Sequence, residues 1–269
     1  METIGFIGAG NMAEALIKGV INAKLYTPEN VFISDIRVER LKFLCETYRV
    51  IACEENSALA SKVQTVVLSI KPQNMGEALE SIKTYIGSEK LIISIAAGIK
   101  VAKISEVLGD IAIVRVMPNT PALIGQGAGA LFANERAKPR LNKAVEILSA
   151  VGKAVVVDDE DLIDAVTALS GSGPAYYYLL MEEMIKTGAR LGLSDDVAKD
   201  LVLQTAKGAG LLAVEADKNG ESPAVLRKKV TSPGGTTEAA LEVFKEGKIS
   251  ELISAAINRA YERSKELSE

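Results

Sequence analysis

The chain has 269 residues, room for one large domain or two ordinary ones, and its 48% apolar and 25% charged residues are the profile of a globular protein. It contains no histidine, which excludes Ser-His-Asp and Cys-His catalysis, imidazole-ligated zinc and any dehydrogenase mechanism built on a histidine acid or base. A net charge of −4 without long basic runs argues against a nucleic-acid-binding surface.

Apolar, β-branched runs at 4–7, 31–34, 65–70, 91–95 and 111–117 predict short strands buried on both faces. Helical patterns lie between or after them at 11–23, 38–48, 73–85 and 101–108. Two further strands are expected at 127–132 and 154–157, with a helix at 139–150. Strand-helix alternation of this kind implies right-handed crossovers and a mostly parallel α/β sheet. From residue 161 onward no strand is expected; the pattern reads as helices at 161–169, 174–191, 195–216, 223–230, 236–245 and 249–267. The expected organisation is therefore α/β over 1–160, then all-α over 161–269.

The first strand runs into Gly8-Ala9-Gly10-Asn11-Met12-Ala13, of the form G-x-G-x-x-A. In a Rossmann-like dinucleotide fold the first glycine permits the tight turn and the second lets a pyrophosphate approach the backbone. The small third residue lets helix pack on strand, and the helix N-terminus faces the phosphates. A tight strand-to-helix turn without a ligand is the plain alternative. The second strand ends Ser34-Asp35-Ile36-Arg37. Asp35 stands where a carboxylate takes the ribose hydroxyls of NAD, whereas Ser34 and Arg37 suit a 2′-phosphate, so both cofactors stay open. Later strands end Ser69-Ile70-Lys71-Pro72-Gln73, Ser94-Ile95-Ala96-Ala97-Gly98 and Met117-Pro118-Asn119-Thr120-Pro121. Ligands of open α/β sheets bind beyond such carboxyl ends, and small residues at 96–98 would let a flat ring lie on backbone. Ordinary loop starts are the alternative.

Two segments of the helical half are rich in glycine and hydroxyls: Ser170-Gly171-Ser172-Gly173-Pro174 and Ser232-Pro233-Gly234-Gly235-Thr236-Thr237. Each is expected to open a helix with bare N–H groups and hydroxyls, which makes a carboxylate receptor without a cationic side chain, or else a simple capping turn. Cys45 and Cys53 are expected to be reduced thiols, and no metal site is expected. The start of the chain lacks the basic and long apolar regions of a signal peptide, and the apolar run at 91–98 is too short to span a bilayer, so a cytoplasmic setting is expected.

With these residues in hand, the chain resembles pyrroline-5-carboxylate reductase from end to end. The resemblance rests on residues 5–13, on Ile70-Lys71-Pro72-Gln73, on Met117-Pro118-Asn119-Thr120-Pro121, on 161–166 and 169–176, and above all on 230–237. It implies a dinucleotide-binding Rossmann domain followed by a helical domain that dimerises, with rings of dimers in some members. Carried over by motif, cofactor contacts would come from Gly8, Ala9, Gly10, Asn11, Met12, Ser34, Asp35, Arg37, Asn56, Ser69, Lys71, Pro72, Ala96 and Ala97. Pattern alone reads Asn56 equally well as a helix cap. The substrate carboxylate would sit on Ser232, Gly234, Gly235 and Thr236, with Thr237 on the ring nitrogen. The family prefers NADPH; Asp35 stands where many members have a neutral residue and leaves NADH open.

The implied reaction is hydride transfer to the C=N carbon of a cyclic imine, giving L-proline. An imine can arrive protonated, so the protein contributes proximity and orientation rather than a strong acid, and Thr237 reads as an orienting group. Glu160 and Glu221 lie near the motifs, either favouring a cationic ring or as solvated surface. A β-hydroxyacid dehydrogenase shares the architecture but needs a lysine near the start of the helix at 174, where the first lysine is Lys186. A dinucleotide-binding regulator is the non-enzyme reading; it would have lost the hydroxyl loop, which is intact.

Overall fold

The computed structural model describes residues 2–268. Eight strands form one sheet: β1 (Ile4–Ile7), β2 (Val31–Ser34), β3 (Ile51–Ala52), β4 (Thr65–Leu68), β5 (Leu91–Ser94), β6 (Ala112–Met117), β7 (Gly127–Ala133) and β8 (Gly152–Val156). Their order is β3-β2-β1-β4-β5-β6-β7-β8, and every pairing is parallel except β6 with β7. This is the dinucleotide-fold order, with the reversal of winding between β1 and β4. The helices of this half are α1 (Asn11–Asn22), α2 (Val38–Tyr48), α3 (Asn56–Lys62), α4 (Met75–Ile82), α5 (Val101–Leu108) and α6 (Leu141–Ser149).

The continuous apolar strands arise because alternate residues enter different layers. Ile4, Phe6, Val31, Ile33, Val67, Ile93 and Val114 join Leu16, Ile17, Leu44 and Ile147 in one buried cluster. Ile7, Val66, Leu68, Ile92 and Ile113 join Leu59, Leu79, Ile82 and Ile104 in the other. With a period of two, a strand sandwiched between helices must be apolar at every position.

Then come α7 (Leu162–Val166), α8 (Gly173–Arg190), α9 (Asp195–Asp217), α10 (Pro223–Lys229), α11 (Thr236–Glu246) and α12 (Ile249–Ser268). Ser194 caps α9, accepting from the Val197 N–H at 3.4 Å. By compactness the chain forms two units, Met1–Pro174 with Arg259–Glu269, and Ala175–Asn258. The last strand ends at Val156, before the expected division at 160/161, and α7 and the second half of α12 count with the sheet.

Several expectations are corrected. The two-residue strand β3 is too short for a periodic signal. The helix expected at 73–85 is α4 between two 3-10 turns, Pro72–Asn74 and Lys83–Tyr85. The segment 170–174 is not a free glycine turn. Thr167–Gly171 forms a π-helical turn joining α7 toward α8, and the Ser172 N–H donates to Thr167 O at 2.8 Å.

Candidate active site

Register puts Ile7 level with Ser34 on one side and with Leu68 on the other, Leu68 level with Ser94, and Ser94 level with Arg115. The turns at 8–12, 35–37, 69–72, 95–98 and 117–121 therefore leave the sheet along one edge, beyond the carboxyl ends of its strands.

The first of these turns is held from several directions. Gly8 has φ +88, and a Cβ placed on it would lie 2.7 Å from Ser69 O, so both conformation and space demand glycine. The Gly8 N–H donates to Ser34 O at 2.8 Å, and the Ser69 hydroxyl donates to the carbonyls of Ile7 and Gly8. Asp35 Oδ2 accepts from the Ala9 N–H at 2.7 Å. Arg40 Nε donates to Ala9 O at 2.6 Å, and its Nη2 reaches Glu14, which also accepts from Tyr48 Oη. Burial alone would raise the Glu14 carboxyl, but the bonds from Arg40 and Tyr48 outweigh it and leave the group below its usual range.

Asp35, expected to face the ribose, is engaged within the chain. Its side chain is 7% exposed, and four donors saturate it: the N–H groups of Ala9 and Arg37, and Arg37 Nε and Nη2, the last three each at 2.9 Å. Burial works to raise this carboxyl; hydrogen bonds from the Arg37 side chain and from the two N–H groups bring it down to about 2. Arg37 folds over it with 57% of its side chain exposed. The pair has no net charge.

A Cβ on Gly10 would meet no atom within 4 Å, and Gly10 is the N-cap of α1, where no side chain caps the first-turn N–H groups. This open, donor-lined space fits a pyrophosphate. Asn11 and Met12 form the first turn of α1 beside it. Asn56 is not the cap of α3, a position held by Glu55; its Oδ1 instead accepts from Ser34 Oγ at 2.8 Å, which brings it to the end of β2. Lys71 and Pro72 are exposed beyond β4. Beyond β5, Ala96 is buried and Ala97 exposed. In the 117–121 turn Asn119 is a bracket, accepting from the Ala128 N–H at 2.9 Å and donating to Ser170 O at 3.1 Å.

The glycine turn at 232–237 lies in the second unit. The Gly235 N–H donates to Ser232 O at 3.0 Å, and Gly234 takes φ +72 with nothing within 4 Å of a Cβ. Gly235 caps α11, whose first residues are Thr236 and Thr237, again without a side-chain cap. Glu238 reaches back to accept from the Gly234 N–H at 2.6 Å. One donor of the expected carboxylate receptor thus already holds a carboxylate.

Glu160 and Glu221 are both engaged by the chain itself. Glu160 binds Arg115 and the Val101 N–H, and Glu221 pairs with Lys229. Sequence reasoning missed Arg40, Glu14, Tyr48, Glu238 and Arg115. Only Arg115 carried a signal, a charge inside an apolar strand run. Among the described residues no group of three or more Cys, Asp and Glu is placed to hold a metal ion.

Residues 160–267 match the family model for the pyrroline-5-carboxylate reductase dimerisation domain, and residues 3–98 match a model of coenzyme F420-dependent NADP oxidoreductases. The pyrroline-5-carboxylate reductase of Pseudomonas aeruginosa is 44% identical over 99% of this chain and 97% of its own length. The solved structure of the Coxiella burnetii enzyme superposes with a TM-score of 0.93 at 39% identity, covering 100% of this chain and 99% of that one. That of the Plasmodium falciparum enzyme, with NADP bound, gives 0.87 at 33% identity over 100% and 98%. With a preformed dinucleotide turn, a hydroxyl-rich glycine turn and relatives that match over nearly their whole length, the chain belongs to the pyrroline-5-carboxylate reductase family.

Proposed function

We propose that this protein reduces 1-pyrroline-5-carboxylate to L-proline with a reduced nicotinamide dinucleotide. The observation that carries the reading is the presence, in a chain without histidine, of both a braced phosphate-type turn at 8–12 and a glycine turn of hydroxyls and N–H groups at 232–237. The bound dinucleotide supplies a hydride. Gly8, Ala9, Gly10, Asn11 and Met12 cradle its phosphates, Ser34, Arg37 and Asn56 its adenosine end, and Ser69, Lys71, Pro72, Ala96 and Ala97 the stretch toward the nicotinamide. Asp35 acts through the Ala9 N–H and Arg37.

Ser232, Gly234, Gly235 and Thr236 hold the substrate carboxylate, with Glu238 yielding the Gly234 N–H when it arrives. Thr237 hydrogen-bonds the ring nitrogen and sets the C=N carbon in place. A protonated imine already carries the charge that a ketone would need an acid to induce, so orientation is the chain's main contribution. An oxyacid dehydrogenase would need a lysine early in α8. Lys186 lies well along that helix, paired with Glu182 and Glu183.

NADPH is the favoured cofactor. An unpaired carboxylate at 35 would repel a 2′-phosphate, but Arg37 neutralises Asp35 and keeps exposed guanidinium surface to meet one. The helical unit leaves Tyr177, Leu180 and Met184 of α8 and Leu201, Leu211 and Leu212 of α9 exposed, apolar area that a second copy would cover; a homodimer, or a ring of dimers, follows. Sedimentation at micromolar concentration is expected to give a dimer or larger; a monomer overturns that part. The two free cysteines fit a reducing, cytoplasmic setting.

Steady-state reduction of 1-pyrroline-5-carboxylate with NADH and NADPH side by side tests the activity. Turnover with both and a higher kcat/KM with NADPH is expected. No turnover with either overturns the function, and a higher value with NADH overturns the cofactor assignment.

A further inference from the structure

The chemistry above leaves a buried charge cluster unused. Arg115, on β6, is 2% exposed; its Nη1 donates to Glu160 Oε1 at 3.1 Å, and its Nη2 lies 3.9 Å from Asp164 Oδ1. Asp164, on α7, is equally buried, and its Oδ1 also accepts from Ser264 Oγ at 2.6 Å and Ser268 Oγ at 3.3 Å. Glu160 Oε1 further accepts, at 2.8 Å, from the N–H of Val101, the first residue of α5. Such ions must be desolvated before they pair, and apolar residues of like size hold a core as well. What the cluster supplies is fixed geometry. It ties β6, α7, the start of α5 and the end of α12 to one another.

A backbone contact points to the same place. Gly98 has φ +70, and a Cβ placed on it would lie 2.5 Å from Leu267 O. The last turn of α12 is therefore packed on the 95–98 turn, which carries Ala96 and Ala97 and leads into Val101.

We propose that the last turn of α12, latched through Asp164 and Ser264, is a positioning element for the 95–98 turn, setting the surface against which the nicotinamide is held. This rests on the reading of Ala96 and Ala97 as cofactor contacts. Arg115, Asp164 and Ser264 are positioning residues; none touches substrate or cofactor.

The test compares Ser264→Ala, the conservative Ser264→Thr and the milder Ser268→Ala in the full chain. Four quantities are read: backbone hydrogen exchange at 95–101, the NADPH Kd by its fluorescence, the single-turnover rate of NADPH oxidation by the imine, and the melting temperature. Ser264→Ala is expected to raise exchange at 95–101 and slow the single turnover about tenfold while NADPH Kd stays within about threefold, because misplacement costs rate before affinity. Ser264→Thr is expected to restore both, and Ser268→Ala to show a smaller shift in the same direction if Ser264→Ala does not fold. Unchanged exchange overturns the latch. Raised exchange with an unchanged rate, or slowing that Ser264→Thr does not rescue, overturns the positioning role. An Ala97→Leu variant with unaltered Kd and rate would instead remove the cofactor reading of the turn on which the proposal rests.

Discussion

The glycine turn at 8–12 is held by groups that arrive from far along the chain: Asp35, Arg40 and Ser69 each bond its backbone. The turn at 232–237 is held by its own neighbours, Ser232 and Glu238, and most of it is exposed. Both present uncapped N–H groups at a helix start, so their local chemistry is alike. Their mechanical standing differs. Partners distant in the chain brace the first. The second has two local bonds, about 1 kcal/mol for that between Gly235 and Ser232 and about 1.5–3 kcal/mol for that to the Glu238 carboxylate, which an arriving carboxylate can replace like for like.

The same substitution at each turn separates them most widely. Gly8→Ala meets left-handed backbone, costing about 1–2 kcal/mol, and a carbonyl at 2.7 Å, where overpacking adds about 1–3 kcal/mol. Gly234→Ala meets only the backbone cost, because nothing lies near its Cβ. Urea unfolding is expected to show Gly8→Ala losing more stability, and Gly8→Ala alone losing dinucleotide affinity. Equal losses would mean that the first turn is no better braced than the second.

Thr237→Ala asks whether the exposed turn handles substrate only. Imine reduction is expected to fall at least about tenfold, in line with about 1.5 kcal/mol for one hydrogen bond to a charged group, while dinucleotide Kd stays within about twofold. Turnover within about twofold of the parent would remove Thr237 from the site.

The difference between the turns was only partly legible in the sequence. Strands β1 and β2 and helices α2 and α5 have their expected bounds, because a short, continuous, β-branched apolar run marks a strand buried on both faces and a period of 3.6 marks an amphipathic helix. The glycine spacing exposed both turns. Their bracing stayed hidden, since it depends on which side chain crosses from one strand end to another. Asp35 stands at the position of a ribose ligand, and only its four donors show it engaged. Arg37 and Arg40 are both within reach of the turn in sequence, yet one faces Asp35 and the other the Ala9 carbonyl. The π-turn at 167–171 was invisible for another reason: Ser170-Gly171-Ser172-Gly173-Pro174 has the composition of a turn, which does not show that the backbone stays helical through Gly171.

Arg37→Ala sharpens the account of the braced turn. It removes the cation of the Asp35 pair, so NADPH affinity is expected to fall about tenfold and NADH affinity by no more than about twofold, a tenfold loss being about 1.4 kcal/mol and within the range of one charged hydrogen bond. Equal losses would show that Arg37 serves the turn and not a 2′-phosphate.

The smallest expected effect isolates the brace itself. Asp35 holds its carboxyl at about 2 in the folded protein, below the ordinary value of 3.8 that the unfolded chain would show. A group depressed in this way contributes its full stabilisation above the unfolded value. Between the two values the unfolded chain takes up a proton that the folded one refuses, so the contribution shrinks as pH falls and is gone below about 2. Other carboxylates act in the same window, so the useful quantity is the stability difference between the parent and Asp35→Asn. Measured by urea unfolding at pH 5, 4 and 3, that difference is expected to narrow steadily toward acid. A difference independent of pH would mean that the Asp35 bonds to Ala9 and Arg37 do not favour the charged carboxylate, and that the first turn owes its shape to Arg40, Ser69 and the sheet alone.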